Sequence, residues 1–292
     1  MPKNSQDVVI TYACRTGIGK YIGMWDQVQA HDLGKLVIKD ILKQTSIKPD
    51  KIDEVILGQV LTSNTGQNPA RQAAKIAGIP DDKVSYVVNQ VCGSGLRAII
   101  SAYQSILLNN SKIIIAGGQE SMSCSNKDLM LKDGLIDAFN NYHMGITAEN
   151  VAEKWNISRD EQDKFSFNSQ KKTKDAVKKG IFVDEIIKDE KFKSFLDEHP
   201  RPDIKLDDLK KLKPVFKKNG SVTAGNSSGV NDGAAGILIM KRECSEKINL
   251  EPLGKIISWA SCGVDPALMG SGPIPATKKA LKIANWSIKD LD

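Results

Sequence analysis

The sequence predicts an α/β fold with a largely parallel sheet, organised as a duplicated unit whose second copy is incomplete. Three observations carry this reading. Apolar runs alternate between strand and helix periodicity over the first 118 residues. A polar, strand-poor stretch follows, from about residue 119 to 220. A short internal echo then appears when the chain is offset by 239 residues against itself, Lys39 falling on Lys278.

The elements follow in order. Residues 8–12 form a strand candidate, and the glycine-containing loop Thr16-Gly17-Ile18-Gly19 comes next. Residues 32–44 place apolar side chains on one helical face, and residues 54–60 return to strand character. Residues 68–77 are a second helix. Residues 84–91 are apolar and β-branched, the pattern of a buried strand, and residues 96–108 repeat apolar positions at helical spacing. Residues 112–116 form a further strand, which Gly117-Gly118 ends. In the polar stretch, residues 159–179 make a long helix opened by the capping box Ser158-Arg159-Asp160-Glu161. Strand character returns at residues 236–240 and 254–259.

The echo joins the two ends of the chain. Lys39-Asp40-Ile41-Leu42-Lys43 ends a helix and leads through residues 47–53 into the strand at 54. Lys278-Lys279-Ala280-Leu281-Lys282 ends a helix and leads through residues 286–292 to the last residue. The alternative is a chance match of two lysine-rich helix ends.

Composition narrows the function. With 40% hydrophobic and 26% charged residues, the chain is an ordinary globular protein with room for two subdomains. No apolar run approaches membrane-spanning length, so no membrane role is expected. Residues 1–7 lead almost directly into Val8-Val9-Ile10, which reads as a cytoplasmic chain without a signal or transit peptide. Five cysteines, with no C-x-x-C pair, predict neither a disulfide framework nor a metal site. The net charge of +6 raises a nucleic-acid reading. Lysines in segments 171–179 and 205–218 are interrupted by Asp175, Asp207 and Asp208, and six of the 41 basic residues are arginine. That pattern is a solvated surface, with no nucleic-acid partner expected, although lysines also attract phosphorylated small molecules.

One cysteine stands apart. Cys92 lies where the strand at 84–91 turns into the helix at 96–108, within Val91-Cys92-Gly93-Ser94-Gly95. Backbone amides and the macrodipole at a helix start favour an anion, and the thiolate is the nucleophilic form of cysteine. Gly93 and Gly95 remove side chains, so a substrate gains close access to the backbone. A lone cysteine is otherwise a small buried hydrophobe.

The motifs around Cys92 resemble those of the thiolase family, of the acetyl-CoA acetyltransferase type. The segments that carry the resemblance begin with Gly58-Gln59-Val60-Leu61, Gly66-Gln67-Asn68-Pro69-Ala70-Arg71 and Asn89 to Leu96. Gly117-Gly118-Gln119-Glu120-Ser121-Met122-Ser123 and Tyr142-His143-Met144-Gly145 follow. Later come Val222-Thr223-Ala224-Gly225-Asn226-Ser227-Ser228-Gly229 and Gly263-Val264-Asp265-Pro266. The resemblance implies two similar βαβαβ-type halves with a loop subdomain inserted in the first. It divides the chain into an N-terminal half (1–118), the inserted subdomain and return (119–235), and the start of an incomplete C-terminal half (236–292). It implies that Cys92 takes the acyl group of acetyl-CoA or another short acyl-CoA. It also implies that His143, Met144, Ala224 and Ser228 border coenzyme A. Coenzyme A thioesters are then substrates and no cofactor is needed. The implied reaction joins two acetyl-CoA to give acetoacetyl-CoA, with thiolysis as its reverse, in a homodimer. Each assignment has a plain structural counterpart: Gly225, Gly229 and Gly233 shape a tight loop, and His143 is a satisfied polar residue.

The sequence also departs from the family pattern. It contains no N-E-A-F segment, no G-H-P histidine and no C-x-G-G-G cysteine, and neither His31 nor His199 stands in a comparable motif. The family histidine activates the nucleophile and shares in an oxyanion hole. Loss of such a donor costs on the order of a hundred- to a thousand-fold, and loss of a base roughly a hundred-fold or more. The chain alone is therefore expected not to complete the condensation. Two further expectations follow: a non-catalytic remnant, or one part of a split thiolase completed in trans by a separate chain. An incomplete second half also predicts apolar faces left open to water. The stretch between Ser123 and Lys132 is shorter than in the family, where it serves tetramer assembly, and residues 192–199 look compressed.

Overall fold

The computed structural model describes residues 4–189 and 196–292. They separate into two compact units, one from residues 4–130, 182–189, 196–199 and 230–256, the other from 131–181, 200–229 and 257–292. Residues 192–195 of the stretch expected to be compressed lie outside the described residues.

The first unit is built on one sheet. Its strands are β1 (Val8–Arg15), β2 (Gly19–Lys20), β3 (Glu54–Gly58), β4 (Val84–Val88), β5 (Ile113–Ser121), β6 (Asn231–Lys241) and β7 (Gly254–Lys255). The order is β4-β3-β5-β6-β1-β7, with β2 pairing onto β6. β3 runs parallel to β4 and β5, whereas β6 is antiparallel to both β5 and β1, and β7 to β1. The largely parallel sheet expected from the sequence therefore holds for β3, β4 and β5. β6 enters after the inserted residues and has a free choice of direction, which a short βαβ crossover lacks.

That return strand also moves the expected boundaries. Gly117 and Gly118 do not end β5, because β6 pairs along its whole length, from Ile113 opposite Met240 to Ser121 opposite Asp232. The boundaries expected at 118/119 and 235/236 both fall inside this ladder. The inserted unit instead takes residues 131–181 and 200–229. The strand expected at 84–91 stops at Val88. It is an edge strand, and Val84 is exposed rather than buried. The strand expected at 254–259 is two residues long.

Strand alternation sends alternate side chains to opposite faces. Val55 and Leu57 of β3 join a large core with Leu33, Val37, Ile38 and Ile41 of α1 (Ala30–Thr45) and Ala70, Ala73 and Ala74 of α2 (Pro69–Ile76). Ile56 points the other way, into a smaller core under α3 (Ser94–Leu107) with Ala98, Ala102, Ile106 and Ile114. α3 leaves part of that face uncovered. Ala13, Ile99, Ala116, Gly117, Ala235 and Ile237 line an open groove of about 290 Å³ beside it. Leu96, on α3 itself, is 68% exposed.

The second unit contains α4 (Met144–Lys154), α5 (Arg159–Lys178), α6 (Leu206–Lys210) and α7 (Pro273–Ala284). The expected capping box is formed: Glu161 accepts from the Ser158 N–H at 2.7 Å, and Ser158 Oγ accepts from the Glu161 N–H at 3.3 Å. The internal echo is structural as well. α1 ends at Ser46 and α7 at Asn285, both left-handed at φ 55°. Each is followed by a single 3-10 turn, Pro49–Lys51 and Ile288–Asp290, at the same offset as the sequence match. The cap and the following turn thus repeat together at one offset, in keeping with the duplication expected from the sequence.

Candidate active site

Cys92 is exposed on the turn between β4 and α3, at the carboxyl ends of the parallel strands, where sites of open α/β sheets lie. The plain reading of a buried apolar cysteine is thereby removed; Cys14 fits it instead, since burial pushes its thiol well above the ordinary range. Val91, which looks like the last residue of a strand, has φ 49°. A β-branched residue pays strain for this left-handed conformation, and local hydrogen bonds hold it there. Asn89 Oδ1 accepts from the Val91 N–H at 2.9 Å, and Ser94 Oγ donates to the Val91 carbonyl at 2.5 Å. The same Ser94 hydroxyl accepts from the Gln90 N–H at 2.9 Å. Two residues beyond Cys92, α3 begins.

The approach of α3 to the sheet depends on an absent side chain. A Cβ on Gly58, at the end of β3, would lie 2.3 Å from the Ser94 carbonyl carbon and 2.5 Å from the Gly95 nitrogen. Gly95 faces the sheet too, its would-be Cβ 3.9 Å from Gly117 and Gly118. That is an ordinary contact distance, so the close approach of α3 to the sheet depends on Gly58 rather than on Gly95.

The other sequence-predicted residues belong to the second unit. His143 is the N-cap of α4, its Nδ1 accepting from the Gly145 N–H at 3.0 Å. That bond leaves the proton of the neutral ring on Nε2. The imidazole stacks on Phe216, centroids 4.8 Å apart, and a Cβ on Gly145 would strike the same phenyl ring at 2.1 Å. Met144 is the first residue of α4 and half-buried. Burial holds the imidazole below its ordinary value of 6.5, favouring the neutral ring. The unfolded chain then binds more protons than the folded one just below that value. Stability contributed by His143 is complete above pH 6.5 and is lost as pH falls through the lowered folded value. His143→Asn keeps a capping side chain that does not titrate. Denaturant midpoints measured downward from neutral pH should fall less steeply in that variant than in the wild type.

Ala224 and Ser228 are exposed on the loop that follows Val222. Two buried carboxylates that the sequence reading missed hold this loop. Glu149 of α4, 4% exposed, accepts from the Ser221 N–H at 2.9 Å, the Val222 N–H at 2.8 Å and the Ser221 hydroxyl at 3.0 Å. Asp163 of α5 is fully buried; it accepts from Arg159 Nε at 2.7 Å and from Asn226 Nδ2 at 3.0 Å. Asn226 Oδ1 in turn accepts from the Thr223 N–H at 2.8 Å. The loop is tied to the histidine side of the unit by the Val215 N–H, which donates to the Val222 carbonyl at 3.0 Å beside Phe216. Among the described residues, no group of three or more His, Cys, Asp or Glu side chains is placed to hold a metal ion. No helix among them is long and apolar enough to cross a membrane.

The chain as a whole is similar to known proteins. The thiolase N-terminal domain matches residues 8–128 and 124–243, and the thiolase C-terminal domain matches residues 250–292. β6 therefore belongs with the first half, against the expected start of the second at 236. The acetyl-CoA acetyltransferase of Paracoccus denitrificans is 48% identical over 306 residues, which span 97% of this chain and 78% of that protein. That of Rhizobium meliloti is 47% identical over 311 residues, spanning 99% and 79%. The crystal structure of the Bacillus anthracis acetyl-CoA acetyltransferase superposes with a TM-score of 0.93 at 38% identity, covering 98% of this chain and 78% of that one. With the cysteine turn, the capping histidine and the carboxylate-held loop all lying within these matches, the chain belongs to the thiolase family of acyltransferases, of the acetyl-CoA acetyltransferase type.

Proposed function

We propose that this chain accepts a short acyl group from coenzyme A on Cys92, with acetyl-CoA as donor. The observation that carries the reading is the exposed Cys92 held on a left-handed turn at the carboxyl ends of β3, β4 and β5. The thiolate attacks the thioester carbonyl, the bond from that carbon to the coenzyme A sulfur breaks, and coenzyme A leaves as its thiolate. The acyl group remains on Cys92 as a thioester. His143 and Met144, with Ala224 and Ser228 on the carboxylate-held loop, are read as the coenzyme A contacts. In the complete cycle, the carbanion of a second acetyl-CoA attacks acyl-Cys92 to give acetoacetyl-CoA, and thiolysis is the reverse. The enzyme works in fatty-acid metabolism in the cytoplasm, as a homodimer.

A second reading is favoured by the uncovered apolar groove beside α3: one part of a thiolase, completed in trans by a separate chain carrying the histidine and second cysteine. Intact mass after incubation with acetyl-CoA tests both, with Cys92→Ser as control. The expected result is one acetyl adduct, mapping to Cys92 and absent from the variant. An adduct that forms only after such a chain is added supports the second reading. Folded protein that stays unmodified in either case is a non-catalytic remnant.

A further inference from the structure

The last residues of β5 and the turns that leave β3 and β4 at their carboxyl ends are joined by a short series of hydrogen bonds. Glu120, near the end of β5, accepts from the Val60 N–H at 2.8 Å and from the Leu61 N–H at 3.4 Å. The Val60 carbonyl accepts from Asn89 Nδ2 at 3.4 Å, and Asn89 Oδ1 accepts from the Val91 N–H at 2.9 Å. The Gln59 N–H donates to the Val88 carbonyl at 3.2 Å, tying the same two turns a second time. A carboxylate on β5 is thus linked through one turn of β3 to the strained residue that precedes Cys92. Asn89 is exposed and packs into no core that would fix it otherwise. Glu120 is also placed at a cost. Burial, with Asp232 nearby, pushes its carboxyl up despite the backbone donors around it. A carboxylate withdrawn from water is kept where its acceptor capacity is used; the half-buried Glu120 takes the two amides of the turn that Asn89 reaches, with the Ser121 amide of its own strand as a further donor.

We infer that Glu120 is a positioning residue for Cys92: it fixes the 59–61 turn, which fixes Asn89 and, through Asn89, the left-handed Val91. The inference rests on Cys92 being the nucleophile, so the thiol is read with two reagents that fail separately. Iodoacetamide needs only an accessible, correctly placed thiol, whereas acetyl-CoA also needs a working acyl site. Rates of Cys92 modification by each are measured by intact mass and peptide mapping for the wild type, Glu120→Gln, Asn89→Ala and the double variant. Asp53→Asn is the control, because Asp53 caps the Lys112 and Ile113 amides (2.7 and 3.1 Å) at the opposite end of the sheet. Unfolding midpoints are recorded for all.

Glu120→Gln and Asn89→Ala should each slow both reactions by on the order of ten-fold. For acetyl-CoA the loss should fall on the limiting rate, with the half-saturating concentration unchanged. The double variant should be no slower than the slower single variant to within about two-fold, because both act along one path. Asp53→Asn should lower the midpoint and leave both rates at wild type. Unchanged or faster alkylation in folded Glu120→Gln or Asn89→Ala overturns the inference, as do effects that multiply in the double variant. If the wild type is alkylated but not acetylated, the acyl-acceptor reading fails while the alkylation rates still decide this one. If Glu120→Gln does not fold, Asn89→Ala decides at its exposed position: slowed alkylation at an unchanged midpoint supports the path, and an unchanged rate removes it.

Discussion

Gly58→Ala is expected to lower the unfolding midpoint by roughly 2–12 °C and to slow acylation of Cys92 by on the order of a hundred-fold. The added methyl would sit 2.3 Å from the Ser94 carbonyl carbon and 2.6 Å from its oxygen, both backbone atoms that cannot rotate aside. Either β3 or the first turn of α3 must shift. Overpacking of this kind costs about 1–3 kcal/mol. The functional loss accompanies the stability loss because the shift falls on Ser94, whose hydroxyl holds both Gln90 and Val91. Gly254→Ala is the matched control, since no heavy atom lies within 4 Å of its would-be Cβ. Thermal melts and the acetyl adduct rate measure the two effects. A wild-type melt and rate in Gly58→Ala would show that α3 docks with slack, and the account of the turn would be wrong.

What was legible in the sequence was whatever local pattern dictates. The alternation of Val55, Ile56 and Leu57 and the helical spacing of Leu33, Val37 and Ile41 place both sheet faces without any long-range information. The duplication was legible because a helix end is a local motif, and the left-handed Ser46 and Asn285 repeat it. Cys92 was legible for the same reason, lying between a strand pattern and a helix pattern. Its turn was not. Val91 looks like strand, and it is Asn89, two residues earlier, that offers the backbone an alternative to the ladder. The direction of β6 was not legible either, because it depends on where the chain returns after the inserted residues.

The two buried carboxylates of the second unit were hidden for a different reason. On a polar helix, Glu149 and Asp163 look like solvated charges, and local periodicity says nothing against it. Apart from Arg159, one turn before Asp163, their partners arrive from residues 221 to 226, far along the chain. One signal was present: a carboxylate on α4 shortly after the His143–Met144 start, in a chain that later supplies a glycine- and serine-rich loop with many free amides. Buried charges are tolerated only with such partners, so a charged residue on the inner side of a short helix points to a loop it must hold.

Glu149→Ala should therefore raise the half-saturating concentration of acetyl-CoA at least ten-fold while changing the limiting acylation rate much less. The Ser221 and Val222 amides lose their acceptor inside the fold, and each buried amide left unpaired costs about 1–3 kcal/mol. Glu149→Gln is a weak rescue, because one side-chain oxygen is replaced by an amide group whose hydrogens face the donors. With its anchor gone, the loop that presents Ala224 and Ser228 samples other conformations, and the competent one is populated only in part. A binding site that is competent for a fraction of the time binds more weakly by that fraction. Cys92, on its own turn in the first unit, keeps its local hydrogen bonds, which is why the loss should appear in binding. Hydrogen exchange at residues 221–223 and the concentration dependence of acylation separate the effects. Faster exchange with an unchanged half-saturating concentration would show that the loop is held by Glu149 but does not touch coenzyme A. Unchanged exchange would show that the Asp163–Asn226 pair holds the loop without Glu149.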